Sequence, residues 1–152
     1  MFQAIEQSLR LILPYMHPDG SKKGLDAMRE YVESISNKSL GVLIGQFNEA
    51  MSGDKDLIAP ELKALVDARN DLVHHFYRNT QFDLLAPDAA ERALAYLDAQ
   101  HHQAREWAEL FRVQAGVVLL AIMETSPKAA AEFGQYRDRL IAQLPDSLKG
   151  LG

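Results

Sequence analysis

The chain has 152 residues, 47% hydrophobic and 24% charged, with a net charge of −5 and no cysteine. That length suggests one globular domain able to bury enough surface to fold without covalent staples. The missing cysteines exclude disulfides, thiolate nucleophiles and cysteine-ligated metals, and fit a reducing, cytoplasmic setting. The acidic balance argues against a protein that coats nucleic acid by bulk charge. The N-terminus, Met1-Phe2-Gln3-Ala4-Ile5-Glu6, lacks the basic region and apolar stretch of a signal peptide. The longest apolar run, from Ala115 to Met123, is too short to span a bilayer, which argues against a membrane protein.

Helical spacing dominates the chain, and no run shows strand alternation between turns. The first predicted helix runs from Phe2 to Leu13, with Phe2, Ile5, Leu9 and Ile12 as its apolar stripe. Pro14 should end or kink it, and Pro18-Asp19-Gly20 signals a turn. A second helix covers Lys23 to Ile35, and a short one covers Leu40 to Met51 behind Ser39 as N-cap. The next begins at Pro60, a good first-turn residue, and reaches Arg78. A long helix then spans Asp88 to Thr125, with a break conceivable at that length, and Pro127 stops it. The last predicted helix, Lys128 to Leu144, precedes Pro145, and residues 146–152 read as a tail or the start of a linker. The expectation for residues 1–152 is a single all-α domain, a bundle of four to five helices whose apolar stripes are core.

Within Pro60–Arg78, Leu62, Leu65, Val66, Leu72, Val73 and Phe76 share one face at about 100° per residue. Arg69 falls near the middle of that face. An unpaired guanidinium is costly to bury, so it needs a carboxylate partner or a groove or subunit interface that opens beside it. Asn70 and His74, four apart, sit on one flank, with Tyr77 bordering them and Arg69 further round. This makes a broad band rather than a tight cluster. A neutral imidazole can move a proton near neutral pH, and a guanidinium can grip phosphate oxygens with two hydrogen bonds. Such groups suit phosphodiester cleavage, although a polar cluster without chemistry is the plainer reading of the spacing alone.

The segment Ala68-Arg69-Asn70-Asp71-Leu72-Val73-His74-His75-Phe76-Tyr77 resembles the signature of the HEPN superfamily of helical domains. That signature is an Arg, usually followed by a polar residue, then a His after four to six intervening positions in a helix. The resemblance implies a homodimeric, metal-independent endoribonuclease with no cofactor, in which two motif helices meet to form one composite site on RNA. His74 would be the general acid or base, and Arg69 would stabilise the phosphorane. Asn70 and Tyr77 would position groups around them. It also implies settings such as toxin–antitoxin or phage-defence systems, with an antitoxin or other regulatory protein as partner. Some members paired with a nucleotidyltransferase carry a Tyr two positions after the His. Counted from His74 that position is Phe76, and counted from His75 it is Tyr77. Other members have lost catalysis and serve as interaction or nucleotide-binding modules, a version that suits the acidic charge.

The remaining candidates have plain structural readings. The pairs His74-His75 and His101-His102 are poor chelators, because adjacent helical residues point about 100° apart. Trp107 reads as a packing anchor beside Leu110 and Phe111. Gly41 and Gly45 lack the Lys-Ser/Thr ending of a phosphate loop. Lys22-Lys23 and Arg137/Arg139 read as solvated charges.

Overall fold

The computed structural model describes residues 1–20, 23–53, 55–76 and 86–151. Among these residues every regular element is helical. Seven α-helices follow in order: α1 Phe2–Met16, α2 Leu25–Ile35, α3 Leu40–Ala50, α4 Lys55–Asn70, α5 Ala89–Thr125, α6 Pro127–Phe133 and α7 Arg137–Gln143. A π-helical turn, Asp71–His75, continues α4. The bundle therefore holds more helical segments than the four or five expected. One of the additional segments comes from the C-terminal region, where the single helix read over Lys128–Leu144 is broken at Gly134–Tyr136 by a 3-10 turn.

The prolines account for most differences in boundary. Pro14 lies inside α1, which runs on to Met16, and the N–H of His17 still reaches the Leu13 carbonyl at 2.8 Å. One lost hydrogen bond in a last turn is outweighed here by burial, since Leu13 and Pro14 are both fully buried. Pro60 does not open α4, which starts at Lys55. Its missing N–H leaves the carbonyl of Asp56 to water, and both residues are exposed. Pro127 does stop α5 and opens α6 at its first position, with the Ser126 side chain accepting from Ala129 N–H at 3.3 Å. Ser39 stands at the N-cap of α3, although its side chain makes no capping bond.

Gly20 closes the turn after α1. A Cβ there would stand 2.1 Å from the Pro14 carbonyl oxygen, so only glycine lets the chain fold back so closely. Gly24, at φ 100°, then starts α2 from a backbone conformation that favours glycine.

The main core lies between α1, α3, α4 and the middle of α5. Ile5, Leu9, Ile12 and Leu13 meet Leu40, Leu43, Ile44 and Phe47, with Leu62 and Leu65 behind them. Phe111 is its centre, edge-on to Phe47 at 5.1 Å and stacked on Trp107 at 5.8 Å. Trp107 is thus the packing anchor expected. A second, smaller core joins the end of α5 to α6 and α7 through Leu120, Met123 and Leu144. The 37-residue α5 is continuous and serves both. Among the described residues no helix is long and apolar enough to cross a membrane.

Candidate functional site

Arg69 is the penultimate residue of α4, and His74 lies in the π turn that follows. In an α-helix, residues five apart stand about 140° apart around the axis. A π turn closes its hydrogen bonds between residues five apart, so it brings such a pair back to the same side. The structure shows the result. Arg69 Nη1 donates to Asn70 Oδ1 at 3.2 Å and lies 3.5 Å from His74 Nε2. A guanidinium only donates, so the second contact is a hydrogen bond when Nε2 is the unprotonated ring nitrogen. Arg69, Asn70 and His74 are therefore one cluster, not the broad band expected from α-helical spacing.

The cluster faces outward. Arg69 and Asn70 are half-buried, while His74 and His75 are exposed. The two imidazoles meet edge to face at 6.2 Å. Val73, expected on the apolar face, is 58% exposed, and Leu72 and Phe76 are half-buried. The widened turn has rotated them away from the stripe formed by Leu62 and Leu65. Among the described residues no carboxylate forms an ion pair with Arg69. Glu6, which shares a surface cavity of about 340 Å³ with Arg69, is paired to Arg10 at 3.5 Å. Met1, Phe2, Gln3 and Val73 complete that cavity. On the far side of the turn, Asp71 faces Tyr96 of α5, whose phenol is pushed up by burial and by that carboxylate. Tyr77 lies outside the described residues.

The other histidines are dispersed. His102 pairs with Glu106 on the next turn at 3.3 Å, and His101 lines a separate cavity. Among the described residues no three His, Asp or Glu side chains are grouped to hold a metal ion.

A second polar cluster was not foreseen from the sequence. His17 is buried, with Asp19 N–H donating to its Nδ1 at 3.2 Å. Its Nε2 lies 3.6 Å from Glu49 Oε2, and its ring stacks on Tyr31 at 4.9 Å. Burial, with Asp19 and Glu49 nearby, pushes the Tyr31 phenol up to about 12. The Lys23 ammonium holds the Asp19 carboxyl below its ordinary value. The signal was present, because Leu9, Leu13 and His17 repeat every four residues and continue the buried stripe of α1.

Comparison with known families, curated proteins and solved structures returns no significant match to this chain.

Proposed function

We propose that the chain is a HEPN-like, homodimeric, metal-independent endoribonuclease built on Arg69 and His74. The observation that carries this reading is the convergence of Arg69, Asn70 and His74 on an exposed π turn, with the guanidinium hydrogen-bonded to Asn70 and 3.5 Å from the imidazole. Arg69 has no carboxylate partner among the described residues, so its charge is available to a phosphate. When RNA binds, the guanidinium exchanges its histidine contact for phosphate oxygens. His74 Nε2 is then free to take the 2′-hydroxyl proton. The 2′-oxygen attacks phosphorus, the bond to the 5′-oxygen breaks, and a protonated His74, from the second copy of the motif, supplies the leaving oxygen with its proton. The products are a 2′,3′-cyclic phosphate and a 5′-hydroxyl. Arg69 stabilises the charge that builds on the phosphorane. Asn70 fixes the guanidinium. A second copy meeting the turn would cover Val73 and Leu94, which are 58% and 61% exposed. A cytoplasmic toxin or defence protein restrained by a partner fits this activity.

The alternative is a non-catalytic HEPN-like module that docks a protein or nucleotide on the same surface. The net charge of −5 favours it. The deciding experiment is RNA cleavage by purified protein in excess chelator, with wild type, His74→Ala and Arg69→Ala side by side. Cleavage leaving 2′,3′-cyclic phosphate ends, lost in both folded, dimeric variants, supports the nuclease. No cleavage, or equal cleavage by all three, supports the module.

A further inference from the structure

A second surface cavity, of about 360 Å³, adjoins the one that holds Arg69, and Met1 and Phe2 line both. The neighbours Leu72 and Val73 part at this point, Leu72 lining the second cavity and Val73 the first. Phe2, Leu72 and Leu97 give the second cavity an apolar lining, and Asp98, Gln100 and His101 of α5 supply its polar groups. An apolar hollow with a few convergent polar groups is the usual form of a small-molecule subsite. Gln100 Oε1 is buried without a hydrogen-bond partner. Turning that amide toward a bound group would exchange an unpaired acceptor for a paired one.

We infer that this cavity is a base-recognition subsite for the nucleotide next to the scissile phosphate, selecting a base with an exocyclic amine. The inference rests on the ribonuclease reading of Arg69 and His74 and adds a substrate preference to it. Met1 and Phe2 are common to the walls of both cavities, so a phosphate at Arg69 leaves the adjoining base beside Leu72. Phe2 offers a ring against which a base can stack, and Leu72 and Leu97 exclude water from its other edges. The Asp98 carboxylate and the Gln100 carbonyl oxygen are both acceptors. They match the amine of adenine or cytosine and oppose the carbonyl oxygens of uracil. The Gln100 amide can also donate to the ring nitrogen beside that amine.

The test uses the full chain carrying His74→Ala, so that RNA is bound and not cut, with oligoadenylate, oligocytidylate and oligouridylate of equal length as probes. Binding of the first two should be tighter than oligouridylate by roughly 10-fold, the scale of one good side-chain–base pairing. Adding Gln100→Leu or, separately, Asp98→Asn should bring the ratio close to one, by weakening oligoadenylate and oligocytidylate and by relieving the repulsion against oligouridylate. Gln100→Leu removes an unpaired buried acceptor, so the protein should stay folded, and Asp98 is exposed, which keeps the second variant informative. Equal binding of the three probes, or a preference that both variants retain, overturns the subsite and leaves the ribonuclease standing. Failure to bind any probe, together with no cleavage by wild type, overturns both. If Leu97→Ala lowers the dimer mass in sedimentation and leaves the base preference intact, the cavity is covered by the second copy and the subsite falls.

Discussion

Two histidines in this chain sit at the ends of helices, and their surroundings are opposites. His17 is 7% exposed, stacked on Tyr31 and flanked by Asp19 and Glu49, so both ring nitrogens face fold-internal groups. His74 is exposed, and its ring nitrogen Nε2 lies 3.5 Å from the Arg69 guanidinium. The first arrangement uses the imidazole to hold the end of α1 against α2 and α3. The second leaves an imidazole at the surface next to a cation, the arrangement a bound anion can enter. A histidine is informative about chemistry chiefly where the fold does not already use it.

That contrast can be broken by substitution. The largest effect expected is on the proposed RNA cleavage, where His74→Ala should cost about 10²–10⁴-fold, the usual contribution of a general acid or base. Its thermal unfolding should stay within about 0.5 kcal/mol of wild type, as for most surface changes. His17→Ala should invert the pattern, costing about 2–3 kcal/mol in denaturant unfolding because it removes a buried, stacked ring. Cleavage per folded molecule should be unchanged. A large activity loss in His17→Ala at full folding would abolish the distinction. Gly20→Ala should cost about 1–3 kcal/mol, since the new Cβ cannot share space with the Pro14 carbonyl.

The smallest effect concerns Tyr31. Its hydroxyl is buried without a hydrogen-bond partner, so Tyr31→Phe should be neutral or slightly stabilising near neutral pH. The folded phenol keeps its proton to about 12, whereas the unfolded one loses it near the ordinary value of 10.0. Between those values the folded state binds more protons, so stability should fall as pH rises through that window. Tyr31→Phe should flatten that fall, and denaturant titrations of both proteins at several alkaline pH values would show it.

Much of the architecture was legible in the sequence. The apolar spacings located α1, α3 and α5 closely, because burial of Ile5, Leu9, Phe47 and Phe111 is what makes those helices worth forming. Boundaries at Pro14 and Pro60 were not legible, since packing and solvent can absorb one missing N–H. Arg69, Asn70 and His74 were legible as residue types. Their convergence was not, because it depends on a local departure from 3.6 residues per turn that an α-helical projection cannot represent. Val73 was misplaced for the same reason. The break at Gly134 follows Ala129-Ala130-Ala131, a run with no strong apolar periodicity to mark where the helix stops. His17 was not legible as a buried residue because the helix expected to end near Pro14 runs on to Met16 and carries the α1 stripe one turn further.

The length of α5 carries a consequence for how the molecule opens. At 37 residues it extends about 55 Å, and its middle is held by Ala104, Trp107 and Phe111 in the main core. Its final turns are held by the smaller core, where Leu120, Met123 and Leu144 each retain 6–7% exposure. Regions with fewer buried contacts open at lower free energy than the whole fold. Backbone amides near Met123 should therefore exchange with deuterium well before those near Phe111, though one unbroken hydrogen-bond ladder contains both. A continuous helix can belong to two cooperative units.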